Sequence, residues 1–195
     1  MQIESGGGSG QLAQVSKNGQ LLTLSESRSI QYIVSRMDGQ AYQILSNYGS
    51  VTNTTNNILF LKNLSPTRYL ILTYIRVQAL DLTGGTAFPS ANTYFSIHKN
   101  PTYSSGGDSL SPINMNFGSA NLGDVDAREN GFLTSDSGDE FDRVYLQSEG
   151  DITTFNKEGS VVLAQNDSIM VSFTTDHTAG NAYTRISFLM PGVTG

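Results

Sequence analysis

The chain of 195 residues contains no cysteine and no tryptophan, and it has only two histidines and five prolines. Without cysteine there is no disulfide framework, no Cys-based zinc site and no thiol nucleophile. The fold must rest on its core, on bound ions or on neighbouring subunits. No apolar run approaches the ~20 residues that span a bilayer. The opening "MQIESGGGSG" has neither the basic n-region nor the apolar h-region of a secretory signal. The expectation is a chain that stays in the cytoplasm or leaves the cell by lysis or a dedicated route. Charged residues make up 14% and the net charge is −6, which argues against general nucleic-acid binding. What is abundant is Gly, Ser, Thr and Asn, with 37% apolar residues. That profile belongs to short strands and many turns, not to helical bundles.

Charge is unevenly placed. Residues 1–100 carry 7 Lys/Arg and 4 Asp/Glu, or +3, whereas residues 101–195 carry 4 and 13, or −9. Either the molecule has two faces with different partners, or acid is clustered in surface loops. Along the chain, residues 1–11 read as a flexible Gly-rich arm. Residues 12–40 read as a hairpin and a short helix. The hairpin signal is Asn18-Gly19 between two short runs, since a type I′ turn needs positive φ at both central residues. The helix signal is "SESRSIQYIVSRMDGQ", where Ile30, Ile33, Val34 and Met37 fall on one apolar face, Ser25 or Ser27 can cap and Gly39 can stop it.

Residues 41–195 read as strands only. In "NILFLKNLSPTRYLILTYIRV", residues 57–77, a short polar turn separates two runs that are apolar on both faces. Ile58 and Phe60 point one way and Leu59 and Leu61 the other. Tyr69, Ile71, Thr73, Ile75 and Val77 oppose Leu70, Leu72 and Tyr74. A strand with one wet face alternates cleanly, so the second face is expected to be covered by the helix or by another chain. Later strands are expected at 93–99, 111–117, 151–155, 160–164, 167–175 and 182–190, with Ile169, Val171 and Phe173, then Ile186, Phe188 and Met190, facing inward. "DHTAGNA" (176–182) reads as a hairpin loop between the last two. The strand count predicts an all-β, jelly-roll-like antiparallel β-sandwich. An immunoglobulin-like sandwich fits less well without its Cys pair and Trp. Segment 118–150, rich in acid, reads as a long loop.

No motif reaches an enzyme. "GGDSL" (106–110) has the letters of the GDSL esterases, but a strand follows and no Asp-x-x-His lies downstream. "DVDARENG" (124–131) starts like a calcium loop, yet Arg128 and Glu129 stand where an EF-hand needs an oxygen ligand and Gly. Asp136, Asp139 and Asp142 remain as candidates for a loop calcium site. Asp139 and Glu140 are adjacent and point apart on an extended chain, so they are no glycosidase pair. His98 and His177 lack metal spacing and read as exposed strand and loop histidines. The absence of Trp weakens a carbohydrate-binding reading. No catalytic residue and no cofactor is expected.

Several segments carry a resemblance. They are "VSKNGQLLTLSES" (15–27), the run at 57–77, "FSIHKNPT" (95–102), "SPINMNFGSA" (111–120) and "LAQNDSIMVSF" (163–173). In this order they resemble small jelly-roll structural proteins of tailed bacteriophages, over most of residues 12–175. The acidic 124–142 segment departs from that pattern. The resemblance implies a virion protein present in many copies and assembled in the host cytoplasm. A capsid decoration (cement) protein is the first expectation, with the major capsid protein or another virion protein as partner and a homotrimer favoured. No nucleic acid or membrane partner is expected. The alternative is a host-receptor or glycan-binding module on a tail, neck or fibre. Lys17, Arg28, Arg36 and Lys62 are the expected shell-facing cations, and Ile30, Ile33, Val34 and Met37 the expected interface apolar residues, with 124–142 facing outward.

Overall fold

In the computed structural model, the described residues are 3–4, 12–15, 21–22, 39–48, 50–131 and 138–192. They fall in two compact units, Met1–Ile30 and Gln31–Gly195. The first holds a small antiparallel sheet, β1 (Ile3–Glu4), β2 (Leu12–Val15) and β3 (Leu21–Leu22), in the order β1-β2-β3. Ile3 pairs with Ala13, so a strand stands inside the stretch read as an arm. The expected hairpin is present: Gln14 lies opposite Leu22 and Val15 opposite Leu21. The expected helix, with Ile30, Ile33, Val34, Met37, Arg28 and Arg36, lies outside the described residues, as does Lys17.

Among its described residues the second unit is all-β. Its strands are β4 (Ala41–Tyr48), β5 (Thr55–Asn63), β6 (Leu70–Thr83), β7 (Tyr94–Lys99), β8 (Asp108–Leu110), β9 (Ile113–Asn114), β10 (Val125–Gly131), β11 (Asp139–Tyr145), β12 (Thr153–Asn156), β13 (Val162–Leu163), β14 (Ser168–Thr174) and β15 (Ala179–Leu189). One sheet runs β11-β7-β14-β5-β10-β8, the other β12-β6-β15-β4-β9, with β13 also on β6. The pairs β4–β15, β5–β14, β6–β12 and β7–β11 are all antiparallel. They are the four rungs of one long hairpin, wrapped so that successive strands alternate between sheets. That is a jelly roll. β8, β9 and β10 form an insert between its fourth and fifth strands, β7 and β11, and they extend both sheets at the same side.

Two local readings, the hairpin loop at 176–182 and the single long loop at 118–150, are corrected by this topology. The "DHTAGNA" segment is not a hairpin loop: β14 and β15 lie in different sheets, as do β5 and β6 on either side of the short polar turn. Buried asparagines pin such crossings. Asn63 is fully buried and its amide donates to the carbonyls of Arg68 and Leu163 at 2.9 and 3.0 Å while its oxygen accepts from the Ser65 N–H. The acidic 118–150 segment is likewise not one loop: β10 and β11 lie within it. Alternation fails there as a signal because β11 is an edge strand with little buried surface, and charged edges of this kind resist pairing with other chains.

The doubly apolar strands have a different cause from the one expected. The register of β14 on β5 skips a residue at Ile58, and that of β15 on β6 skips one at Thr73. Each is a β-bulge, and a bulge shifts the side-chain phase. Ile58, Leu59 and Leu61 therefore all reach the inter-sheet core. So do Leu70 and Leu72 before the second bulge, and Ile75 and Val77 after it. Phe60 does face outward, but it is covered by Met170 and by Tyr103 of the same chain, whose ring stacks at 5.2 Å. Ile169, Val171, Phe173, Ile186, Phe188 and Met190 are all in the core, as their alternation predicts.

Candidate functional site

The outer face of the second sheet presents a regular grid of side chains. Register sets one row as Thr154 (β12), Arg76 (β6), Arg185 (β15) and Leu45 (β4). The next row is Asn156, Tyr74, Ser187 and Gln43, and the row on the other side holds Gln78, Tyr183 and Asn47. Arg76 and Arg185 are thus direct cross-strand neighbours, and like charges so placed repel. The Arg76 guanidinium lies 5.7 Å from the centre of the Tyr74 ring. Among the described residues, no carboxylate forms an ion pair with either arginine.

Two depressions open on this face and meet at Arg76. The larger, about 420 Å³, is lined among others by Tyr74, Ser187, Leu189, Met115, Asn156 and Glu158. The smaller, about 250 Å³, is lined by Gln78, Tyr183 and Arg185 with Leu45 and Ile152 at its rim. Leu45 is 44% and Ile152 60% exposed.

Beside the larger depression stands the loop of the insert, residues 115–124. It holds Phe117, 91% exposed, and Leu122, 82% exposed. Side-chain hydrogen bonds fix it. The Asn114 amide donates to the carbonyls of Gly39 and Asn121 at 2.8 and 2.9 Å, and the Asn116 oxygen accepts from the Gly118 N–H at 3.1 Å. The Met115 N–H donates to the Ala41 carbonyl at 2.8 Å, tying the loop to β4. An apolar pair held out by a stiffened loop is a contact device, since exposed apolar surface otherwise tends to be buried. The sequence predicts a strand over 111–117 and a long loop from 118 onward, so Phe117 is expected in a strand and Leu122 in a loop. The Asn-x-Asn-x-Gly spacing was the signal available, because Asn side chains cap their own turns.

The sequence-nominated residues scatter. Lys62 is half-buried on the outer side of the first sheet, opposite in layer to Arg76 and Arg185. Asp136 lies outside the described residues. Asp139 and Asp142 sit on edge strand β11: Asp139 is 3.7 Å from the Lys99 ammonium, and Asp142 is ion-paired with Lys157. Among the described residues no group of three His, Asp or Glu side chains is placed to hold a metal ion. Glu140 is held by two bonds from Arg143, at 2.7 and 2.6 Å, which push its carboxyl below the ordinary range. Arg143 in turn stacks on Tyr94 at 4.1 Å.

Both histidines are buried, not exposed as expected. His98 bonds Ser96 Oγ through Nε2 at 2.9 Å, while its buried Nδ1 has no hydrogen-bond partner among the described residues. His177 is wedged between Phe88, stacked at 5.5 Å, and Thr175, whose hydroxyl is 2.9 Å from Nδ1. The neighbouring Asp176 carboxyl is lowered by the bond it accepts from Thr86. These contacts bind the 84–92 loop to the β14–β15 crossing. Ser109 of the GDSL letters lies on edge strand β8, paired with Arg128 of β10.

No helix among the described residues is long and apolar enough to cross a membrane. Comparison of the sequence with known protein families and with curated proteins gives no match.

Proposed function

We propose that this chain is a non-enzymatic structural protein of a tailed-phage virion, a capsid decoration protein in the first place, that works by surface contact. The observation that carries the reading is the stiffened insert loop with Phe117 and Leu122 held out in solvent. A chain that acts alone gains nothing from that display. One that seats on a lattice buries both residues, at about 25 cal/mol per Å² of apolar surface. The jelly roll supports the reading only as a scaffold, because the same fold serves unrelated functions. Linkage supplies the mechanism: a protein that binds the assembled shell and not its free subunits stabilises the shell.

The test is cosedimentation with empty capsids of the cognate phage, with light scattering to give the solution mass. Wild-type protein is expected to bind in fixed ratio as a trimer. Phe117→Ser with Leu122→Ser is expected to lose shell binding while its melting temperature holds. A monomer that ignores capsids would reject the decoration role. A second reading, a glycan-binding module of tail, neck or fibre, is favoured by the open groove on the second sheet, with its tyrosines and two arginines that pair with no carboxylate among the described residues.

A further inference from the structure

We infer that the outer face of the second sheet is a binding site for an acidic saccharide, with Arg76 and Arg185 together holding a sugar carboxylate. The site goes beyond the virion assignment and stands whether the protein sits on head or tail.

Four observations converge. First, Arg76 and Arg185 are direct cross-strand partners, so their side chains leave the sheet side by side. Their mutual repulsion is unrelieved among the described residues, and a carboxylate between them removes it. The guanidinium fork matches a carboxylate in two parallel bonds. Second, the two depressions meet at Arg76, and Arg185 lines the smaller one. An anion at the junction leaves room on both sides for neighbouring rings of a chain. Third, the flanks suit sugars. Thr154 and Asn156 are exposed and Ser187 half-exposed, offering hydroxyl and amide groups, while Tyr183, Leu45 and Ile152 offer apolar surface to C–H faces. Among the described residues, the only carboxylate lining the larger depression is Glu158, and it makes no ion pair with Arg76.

Fourth, the position disfavours an acidic peptide. β6 is bonded to β12 and β15, and β15 to β6 and β4, so neither strand has a free edge here. A peptide could not add as a strand, the usual source of its affinity on a sheet. A saccharide needs no backbone ladder. Lys62 lies on the opposite layer, so a shell contact made through that side leaves this face open.

Titration calorimetry on the full chain tests the inference with hexasaccharides of galacturonate, glucuronate and guluronate and with oligosialic acid. Controls are the methyl-esterified galacturonate hexamer and a hexaglutamate peptide. At least one acidic saccharide is expected to bind, its ester not, and affinity is expected to fall as salt rises. Arg76→Gln and Arg185→Gln are each expected to weaken binding about tenfold or more, as loss of a charge-assisted bond implies. Arg185→Lys keeps the charge but loses the fork and is expected to fall between. Unchanged melting temperatures establish that the variants fold. Failure of every acidic saccharide, equal binding of the ester, tighter binding of hexaglutamate, or indifference to both Gln variants would each overturn the site. Virion location is read separately by capsid cosedimentation, so the two failures are distinguishable.

Discussion

Tyr103→Ala asks whether the outer side of β5 is covered by this chain itself. Tyr103 stacks on Phe60 at 5.2 Å, lies beneath the Arg128 guanidinium at 5.7 Å, and its hydroxyl donates to the Gly106 carbonyl at 2.7 Å. Phe60 is only 2% exposed. Truncation removes an aromatic pair worth about 0.5–1.5 kcal/mol beyond burial. It also uncovers part of Phe60 and Met170, a further ~1 kcal/mol by area, and loses one hydrogen bond of small net worth at an exposed site. The sum is about 2–3 kcal/mol. For a domain of this size that lowers the melting temperature by about 4–12 °C. The chain has no Trp, so calorimetry or circular dichroism is the readout. A double-mutant cycle with Phe60→Leu is expected to give a coupling of about 1 kcal/mol. A Tyr103→Ala protein that melts within 2 °C (about 0.5 kcal/mol) of wild type would refute the assignment of the cover to this side chain.

Three further outcomes follow from the same geometry. Asp142→Asn leaves the Lys157 ammonium, 13% exposed, without its partner; urea unfolding is expected to show a loss of about 1–2 kcal/mol, reduced from a fully buried pair by solvent access. Glu140 is held below its ordinary pKa chiefly by the Arg143 bonds. Its folded-state value is therefore the lower one, and its small contribution is present above about pH 4.3 and lost as pH falls through the folded value. Melting curves of wild type and Glu140→Gln should converge in that acid range and separate above it. Gly107 has φ +76°, and a Cβ there would stand 2.7 Å from the Glu129 carbonyl oxygen, whereas Gly192 has nothing within 4 Å. Gly107→Ala is expected to cost more than about 1 kcal/mol, and Gly192→Ala to be neutral within about 0.5 kcal/mol, by chemical denaturation.

The fold class was legible because alternation survives wherever a strand has one wet face. Ile169, Val171 and Phe173 announced their inward side, and so did Ile186, Phe188 and Met190. The exceptions have physical causes. A bulge leaves no mark in a string of apolar letters, so Ile58 and Thr73 were read in the wrong phase. A crossing between sheets and a hairpin are both written in turn residues, so the β14–β15 crossing was read as a hairpin. An edge strand built of Asp, Glu and Arg has no apolar period, so β11 reads as loop in the sequence.

Composition and hydrophobic period suffice to read a cysteine-free, all-β sandwich with an acidic second half, because both act locally along the chain. That Arg76 meets Arg185, that Tyr103 shields Phe60 and that Phe117 stands in solvent emerge only from the folded arrangement. Arg76 and Arg185 are more than a hundred residues apart, and their meeting depends on strand pairing and on where the bulges fall. Those are properties of the wrapped sheets, which no local stretch of residues encodes.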